Sequence, residues 1–160
     1  MTCNICKRIE LIKQSNNPFF VRELETGYVV LGDSQYFYGY TLFLAKEHIQ
    51  ELHQFDRETK LKFLEEMSLV QEAVAFAFHS EKMNIEMLGN GDVHMHWHIF
   101  PRRHGDLHGH GYRGRGPVWW VPWEEMNDES NSLSDAELKE AKARLDKWIG
   151  RVLENNALQK

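Results

Sequence analysis

Residues 94–101 read HMHWHIFP, with His94, His96 and His98 at every second position. Successive side chains of a β-strand point to opposite faces. The pattern predicts a strand with three imidazoles on one face and Met95, Trp97 and Ile99 on the other. The apolar face belongs on a core, so the chain must build a sheet with something packed behind it. Imidazole is costly to bury without partners, so three in register point to chemistry. Two uses fit. One is metal ligation, because neutral imidazole is a common ligand. The other is nucleophilic catalysis, with one ring attacking while its neighbours fix its tautomer and stabilise charge. The bland alternative is a polar, solvent-facing strand.

The rest of the chain supplies such a sheet. FFVREL (19–24) and YVVLG (28–32) read as two strands joined by a hairpin turn at Glu25, Thr26 and Gly27, and TLFLA (41–45) reads as a third. HIQEL (48–52) suits a single helical turn. A long helix is predicted over 56–79, with Asp56 as its N-cap and Leu61, Leu64, Met67, Val70, Val74 and Phe78 as its apolar face. MNIEML (83–88) alternates like a strand, and Gly89, Asn90 and Gly91 break it before the histidine strand begins.

Residues 104–117 are rich in Gly, His and Arg and read as a surface loop. VWWVPW (118–123) is too proline-interrupted for a central strand; Trp119, Trp120 and Trp123 could cover the base of a nucleotide or pack under the last helix, and core or subunit packing is the expectation for most of them. Ser134 and Glu137 form a capping box that opens a last helix, with Leu133 and Leu138 as the staple. Leu138, Ala141, Leu145, Trp148 and Val152 mark its buried stripe. This order of elements predicts an α+β fold with a mostly antiparallel sheet of about five strands, one long helix and a C-terminal helix. One domain is expected: a catalytic core over 1–103, with the loop, aromatic segment and last helix of 104–160 packed on it.

Composition narrows the function. The 160 residues carry a formal net charge of -5, which argues against binding nucleic-acid polymers through charge. No apolar run reaches the ~18 residues of a membrane span, and MTCNICKRIE lacks the order of a signal peptide. A cytoplasmic protein without a membrane partner is the expectation. The two cysteines, Cys3 and Cys6, read as a metal or redox pair before they read as a structural disulfide. Of nine histidines, six fall between positions 94 and 110, which locates the chemistry. His53 and His79 read as surface residues at helix ends, and His104, His108 and His110 as loop residues.

The motif HMHWHIF followed by Pro101-Arg102 resembles the signature of the histidine triad (HIT) superfamily of nucleotide hydrolases and transferases. GYTLFLAKEHI (39–49), the CNIC pair and the LGN of 88–90 extend the resemblance over roughly the first 103 residues. It implies a HIT-like fold and a nucleotide substrate attacked at its α-phosphorus by His96, giving a covalent nucleotidyl-histidine. It places His98 beside a non-bridging phosphate oxygen. Asn90 stands where the family usually has glutamine, and Asp33 falls near the ribose-binding acid. The Gly89-Asn90-Gly91 turn leaves backbone amides free to face an anion, with a simple tight turn as the alternative reading. Dinucleoside polyphosphates and nucleoside phosphoramidates are the implied substrates, with no organic cofactor and a homodimeric state. The resemblance also implies a structural zinc held by Cys3, Cys6, His48 and His94. One residue departs from the pattern: Tyr40 stands where many members have a histidine implicated in protonating the leaving group, and a phenol with a pKa of about 10 is a poor acid for that step. Arg102, Arg103, Arg113 and Arg115 are candidate contacts for a polyphosphate chain, against the favoured alternative of a solvated loop. The competing readings are a nucleotide sensor with little or no catalysis and a hydrolase whose metal is held by the histidine row.

Overall fold

The computed structural model describes residues 3–110 and 116–158. The elements follow in the order α1 (Asn4–Lys13), β1 (Phe20–Glu23), β2 (Gly27–Leu31), β3 (Thr41–Ala45), α2 (Arg57–Ala77), β4 (Lys82–Glu86), β5 (His96–Arg102), α3 (Trp123–Met126) and α4 (Asp135–Ala157). A turn of 3-10 helix at Leu52–Gln54 lies just past the expected helical turn. The strands form one antiparallel sheet in the order β1-β2-β3-β5-β4. The fold is α+β, as the sequence predicts. Arg113 and Arg115 lie outside the described residues.

Both helix starts expected from capping residues are observed. The Asp56 carboxylate accepts from the Thr59 amide at 3.0 Å. Ser134 and Glu137 exchange the reciprocal bonds of a capping box. Val70, Val74 and Phe78 of the expected apolar face of α2 are buried, but the N-terminal part of the face is rotated. Leu61 is exposed, and Phe63, Val70, Ala73, Val74 and Ala77 carry the burial. Ile149 joins the predicted stripe of α4.

Helices cover both faces of the sheet. On one side, Val29, Leu31, Phe43, Ala45 and Ile99 pack against α2 and α4. On the other, Tyr28, Val30, Leu42 and Leu44 meet Ile5, Ile9 and Ile12 of α1. Farther along that second side, Phe100 packs with Phe37, Leu107, Val118 and Val121. Two-sided burial explains why β2 and β3 are buried at every residue and read as apolar runs rather than alternating ones. Register pairs His96 with Leu44 and His98 with Leu42, so both imidazoles emerge on this second side.

The β1–β2 turn is anchored from below by a charged group. Glu66 on α2 is 4% exposed. Its carboxylate accepts the Glu25 and Thr26 amides, each at 2.9 Å, and the Thr26 hydroxyl. Replacing Glu66 by Ala strips the acceptor from three donors. We expect a loss of about 1–3 kcal/mol, read as a lower denaturation midpoint with an unchanged denaturant slope.

Candidate functional site

β5 begins at His96, not His94. His94 sits in the bend before it, so the expected row of three imidazoles on one strand face is corrected to two. Each of the two nitrogens of His94 has a partner away from the row. Nε2 lies 2.9 Å from the Ala45 carbonyl, and Nδ1 lies 3.6 Å from Cys3 Sγ, 3.5 Å from Cys6 Sγ and 3.2 Å from His48 Nδ1. A carbonyl only accepts, so the His94 proton is on Nε2 and the Nδ1 lone pair faces the thiols. A metal site made of all three row histidines is therefore not formed.

Cys3, Cys6, His48 and His94 instead make a cluster whose ligand atoms lie within 4.8 Å of one another. Cys6 Sγ is 3.1 Å from His48 Nδ1. Zn–S bonds of about 2.3 Å and Zn–N bonds of about 2.0–2.1 Å put tetrahedral ligand atoms roughly 3.3–3.8 Å apart, close to these separations. The donor set, two thiols and two imidazoles, is that of a closed structural zinc site. The Ala45 carbonyl fixes the tautomer of His94, as an outer hydrogen bond does for histidines that bind metal. The cysteines are carried by α1, an element with no conventional capping oxygen: the Cys3 sulfur accepts from the Cys6 amide at 3.3 Å.

His96 is 7% exposed. Its Nδ1 lies 2.6 Å from the His94 carbonyl. The same logic puts the proton on Nδ1, and the neutral ring keeps its lone pair on Nε2. His94 thus serves His96 through its backbone oxygen while its side chain faces the cluster.

His98 meets Tyr40. The phenol oxygen is 2.5 Å from His98 Nδ1. Burial pushes the Tyr40 hydroxyl well above the usual phenol range, so it keeps its proton. It has no other acceptor among the described residues, and a buried hydroxyl proton needs one. Tyr40 therefore donates to Nδ1, which leaves the His98 proton on Nε2. Burial and the neighbouring His96 bring the His98 pKa down from 6.5 to about 4, so the ring is neutral at pH 7. The Tyr40 ring stacks on Phe100 with centroids 4.3 Å apart, and it lies over Gly32, where a Cβ would come within 2.2 Å of the ring. Buried Gln35 closes the loop that holds Tyr40, donating to the Gly32 and Tyr40 carbonyls at 2.9 Å and accepting the Gly39 amide at 2.8 Å. Gly39 has φ +96 and a Cβ there would strike Phe78, so glycine is required at that turn.

The His98 shift has a consequence for stability. As pH falls below 6.5, the unfolded chain takes up a proton that the folded one accepts only near pH 4. Stability is full above pH 6.5 and declines between the two values. His98→Gln is expected to flatten that part of a stability-versus-pH curve measured by denaturant titration.

The remaining candidates fall as follows. Asn90 and Gly91 are exposed in the turn before the site. Asp33 is exposed and forms a bidentate ion pair with Arg8 of α1. Arg102 is buried and spent on structure, binding Asp106 through two nitrogens at 2.8 Å as well as Asn84 and the Gly116 carbonyl. Arg103 binds the Tyr38 and Phe78 carbonyls. Neither guanidinium is free for a phosphate chain, which corrects that expectation. Trp119, Trp120 and Trp123 are 65%, 44% and 73% exposed, so in this chain they do not form the expected core. Val118 and Val121 of the same segment are the buried anchors. Gln35, Glu66 and α1 carry no mark in the sequence pattern, except that Ile5, Ile9 and Ile12 repeat at helical spacing.

The HIT domain profile matches residues 14–105, more than half of the chain. The chain belongs to the HIT family. Solved HIT structures share its fold. A histidine triad protein from Marinobacter aquaeolei VT8 aligns at 21% identity and a TM-score of 0.67, over 83% of this chain and 89% of its own. One from Sinorhizobium meliloti 1021 aligns at 20% identity and 0.68, over 87% and 93%. A Zn-bound histidine triad family protein from Mycobacterium smegmatis aligns at 19% identity and 0.62, over 97% and 98%. No curated protein matches the sequence. Family membership gives this HIT protein a nucleotide-binding or nucleotide-hydrolysing role.

Proposed function

We propose that this HIT protein cleaves nucleotides at the α-phosphate through a covalent nucleotidyl intermediate on His96. The supporting observation is the 2.6 Å contact between His96 Nδ1 and the His94 carbonyl, which leaves Nε2 as the free nucleophile. Nε2 forms the bond to phosphorus, the leaving group departs with the P–X electron pair, and water then displaces the histidine. Two displacements at one phosphorus predict net retention of configuration. A substrate made chiral at the α-phosphorus reads this directly, and inversion would show a single direct attack by water.

His98 donates from Nε2 to a phosphate oxygen as charge develops there. Tyr40 acts through His98 as a positioning residue, holding its Nδ1 as acceptor. Tyr40→Phe is expected to lower kcat by roughly tenfold to a hundredfold with little change in KM. Tyr40→His, which restores a hydrogen-bonding group, should recover part of the loss. An unchanged kcat in Tyr40→Phe would remove this role. Asn90 and Gly91 are assigned to the phosphate and Asp33 to the ribose. The Arg8 pair means that Asp33 must exchange a guanidinium for ribose hydroxyls.

The reading includes a zinc held by Cys3, Cys6, His48 and His94. The ion would supply a structural clamp between α1 and the start of β5 and would take no part in the chemistry. It also includes a cytoplasmic homodimer, which molar mass by light scattering tests.

A further inference from the structure

Beside His98 the surface opens into a cleft of about 290 Å³. Its walls include Tyr36, Phe37, Phe100, Trp119, Trp123 and Met126. The tryptophans and Met126 come from the segment after residue 105, outside the stretch that the family profile matches. Their exposure is the costly feature here, because large aromatic side chains left open to water ordinarily mark a binding surface. His98 is among the residues lining the cleft, and its ring centroid lies 4.7 Å from that of His96, so the cleft adjoins the proposed site of phosphoryl chemistry.

Its charge is selective. Among the described residues lining the cleft there is no Lys or Arg, and His98 is neutral at pH 7. The single acidic group is Glu86, the cross-strand neighbour of His98. Glu86 has no hydrogen-bond or ion-pair partner among the described residues, and burial raises its pKa above the usual carboxylate value. An unpaired, partly buried carboxylate gains from a cation and is made worse by an anion. The aromatic side chains that line the same cleft attract an ammonium group as well. The two arginines nearest in sequence to the site, Arg102 and Arg103, are held by Asp106 and by backbone carbonyls, so a polyphosphate chain would find no described counter-charge on this side.

We propose that this cleft is a subsite for a planar or apolar organic group bearing a positive charge, with Glu86 as the residue that sets the preference. The inference rests on the proposed reaction for its place in the substrate: the group would be the substituent that leaves the α-phosphorus, lying along His98. The occupant is recognised by two features together, the aromatic walls for its carbon skeleton and the carboxylate for its charge.

The test uses the intact chain and three probes: phenethylammonium, its neutral isostere 2-phenylethanol, and inorganic tripolyphosphate. Binding is followed by NMR at the indole N–H groups of Trp119 and Trp123. Phenethylammonium should bind about tenfold or more tightly than 2-phenylethanol, a difference of about 1.4 kcal/mol for one charge pair. Glu86→Gln should erase that difference while leaving 2-phenylethanol binding intact, and Trp123→Ala should weaken both. Tripolyphosphate should neither bind nor compete. Equal binding of the isosteres, tripolyphosphate binding in the cleft, or indole shifts that follow protein concentration rather than ligand would each overturn the proposal. The last outcome would make the patch a contact between copies of the chain. No turnover is read, so failure of the covalent mechanism leaves this result unaffected, and the reverse also holds.

Discussion

His96→Ala is expected to lower nucleotide turnover by about 10⁴-fold or more while the variant still binds nucleotide. The imidazole is the only group in the account that bonds to phosphorus, so its loss removes the step rather than slowing it. The surrounding parts remain: the His98–Tyr40 couple, the Asn90–Gly91 turn and the His94 carbonyl. Nucleotide binding, followed by calorimetry, should change by less than tenfold, because the ring contributes to the transition state more than to the ground state. His98→Ala should fall between wild type and this variant, since it removes a donor rather than the nucleophile. A His96→Ala protein with substantial residual kcat would mean that water attacks directly and that the 2.6 Å contact to the His94 carbonyl serves only packing.

The second large effect concerns stability. Cys3→Ser with Cys6→Ser is expected to abolish zinc binding and lower Tm by more than about 10 °C. A ligand present at 1,000 times its Kd contributes about 4.1 kcal/mol, and for a chain of this size each kcal/mol shifts Tm by about 2–4 °C. The cluster joins three separate parts of the chain: α1, the segment after β3 and the bend before β5. Losing the clamp should release α1 from Tyr28, Val30, Leu42 and Leu44. A chelator should reproduce the shift in the wild-type protein and add nothing in the double variant. Intrinsic kcat at a temperature where both proteins are folded should change much less than Tm, because the His94 backbone oxygen that orients His96 remains in place. One atom of zinc per chain by metal analysis is the accompanying result. No zinc and an unchanged Tm would remove the structural metal from the account.

Much of the fold is legible in the sequence because local signals agree with tertiary ones. Asp56 and Ser134 announce α2 and α4 through side-chain caps that the structure contains. The TLFLA strand is observed with its expected bounds, Thr41–Ala45. Where the reading fails, the deciding partner is far away in the chain. Helical periodicity alone favours Leu61 on α2, yet contact with Phe43, Phe55 and Trp97 selects Phe63 instead. α1 is missed because a cysteine sulfur, not an oxygen, caps it.

The site divides the same way. The period of two in HMHWHIF correctly places His96 and His98 on one face, but periodicity cannot tell where a strand begins. The bend at His94 turns its ring toward Cys3 and Cys6, which lie 91 and 88 residues away. Tyr40 is visible as a departure from the family pattern. Its partnership with His98 is not, because it depends on β3 lying beside β5. The exposed tryptophans look like core in sequence, since an aromatic run carries no information about which face of the fold it will reach.

The most direct measurement is mass spectrometry of the protein quenched during turnover of a nucleotide substrate and digested under alkaline conditions, where a phosphorus–nitrogen bond to histidine survives. A covalent route through His96 gives a nucleoside monophosphate adduct on the peptide containing His96, lost on brief exposure to acid and absent from His96→Ala. A wild-type protein that turns over substrate with no adduct, or with the adduct on His98, would contradict it.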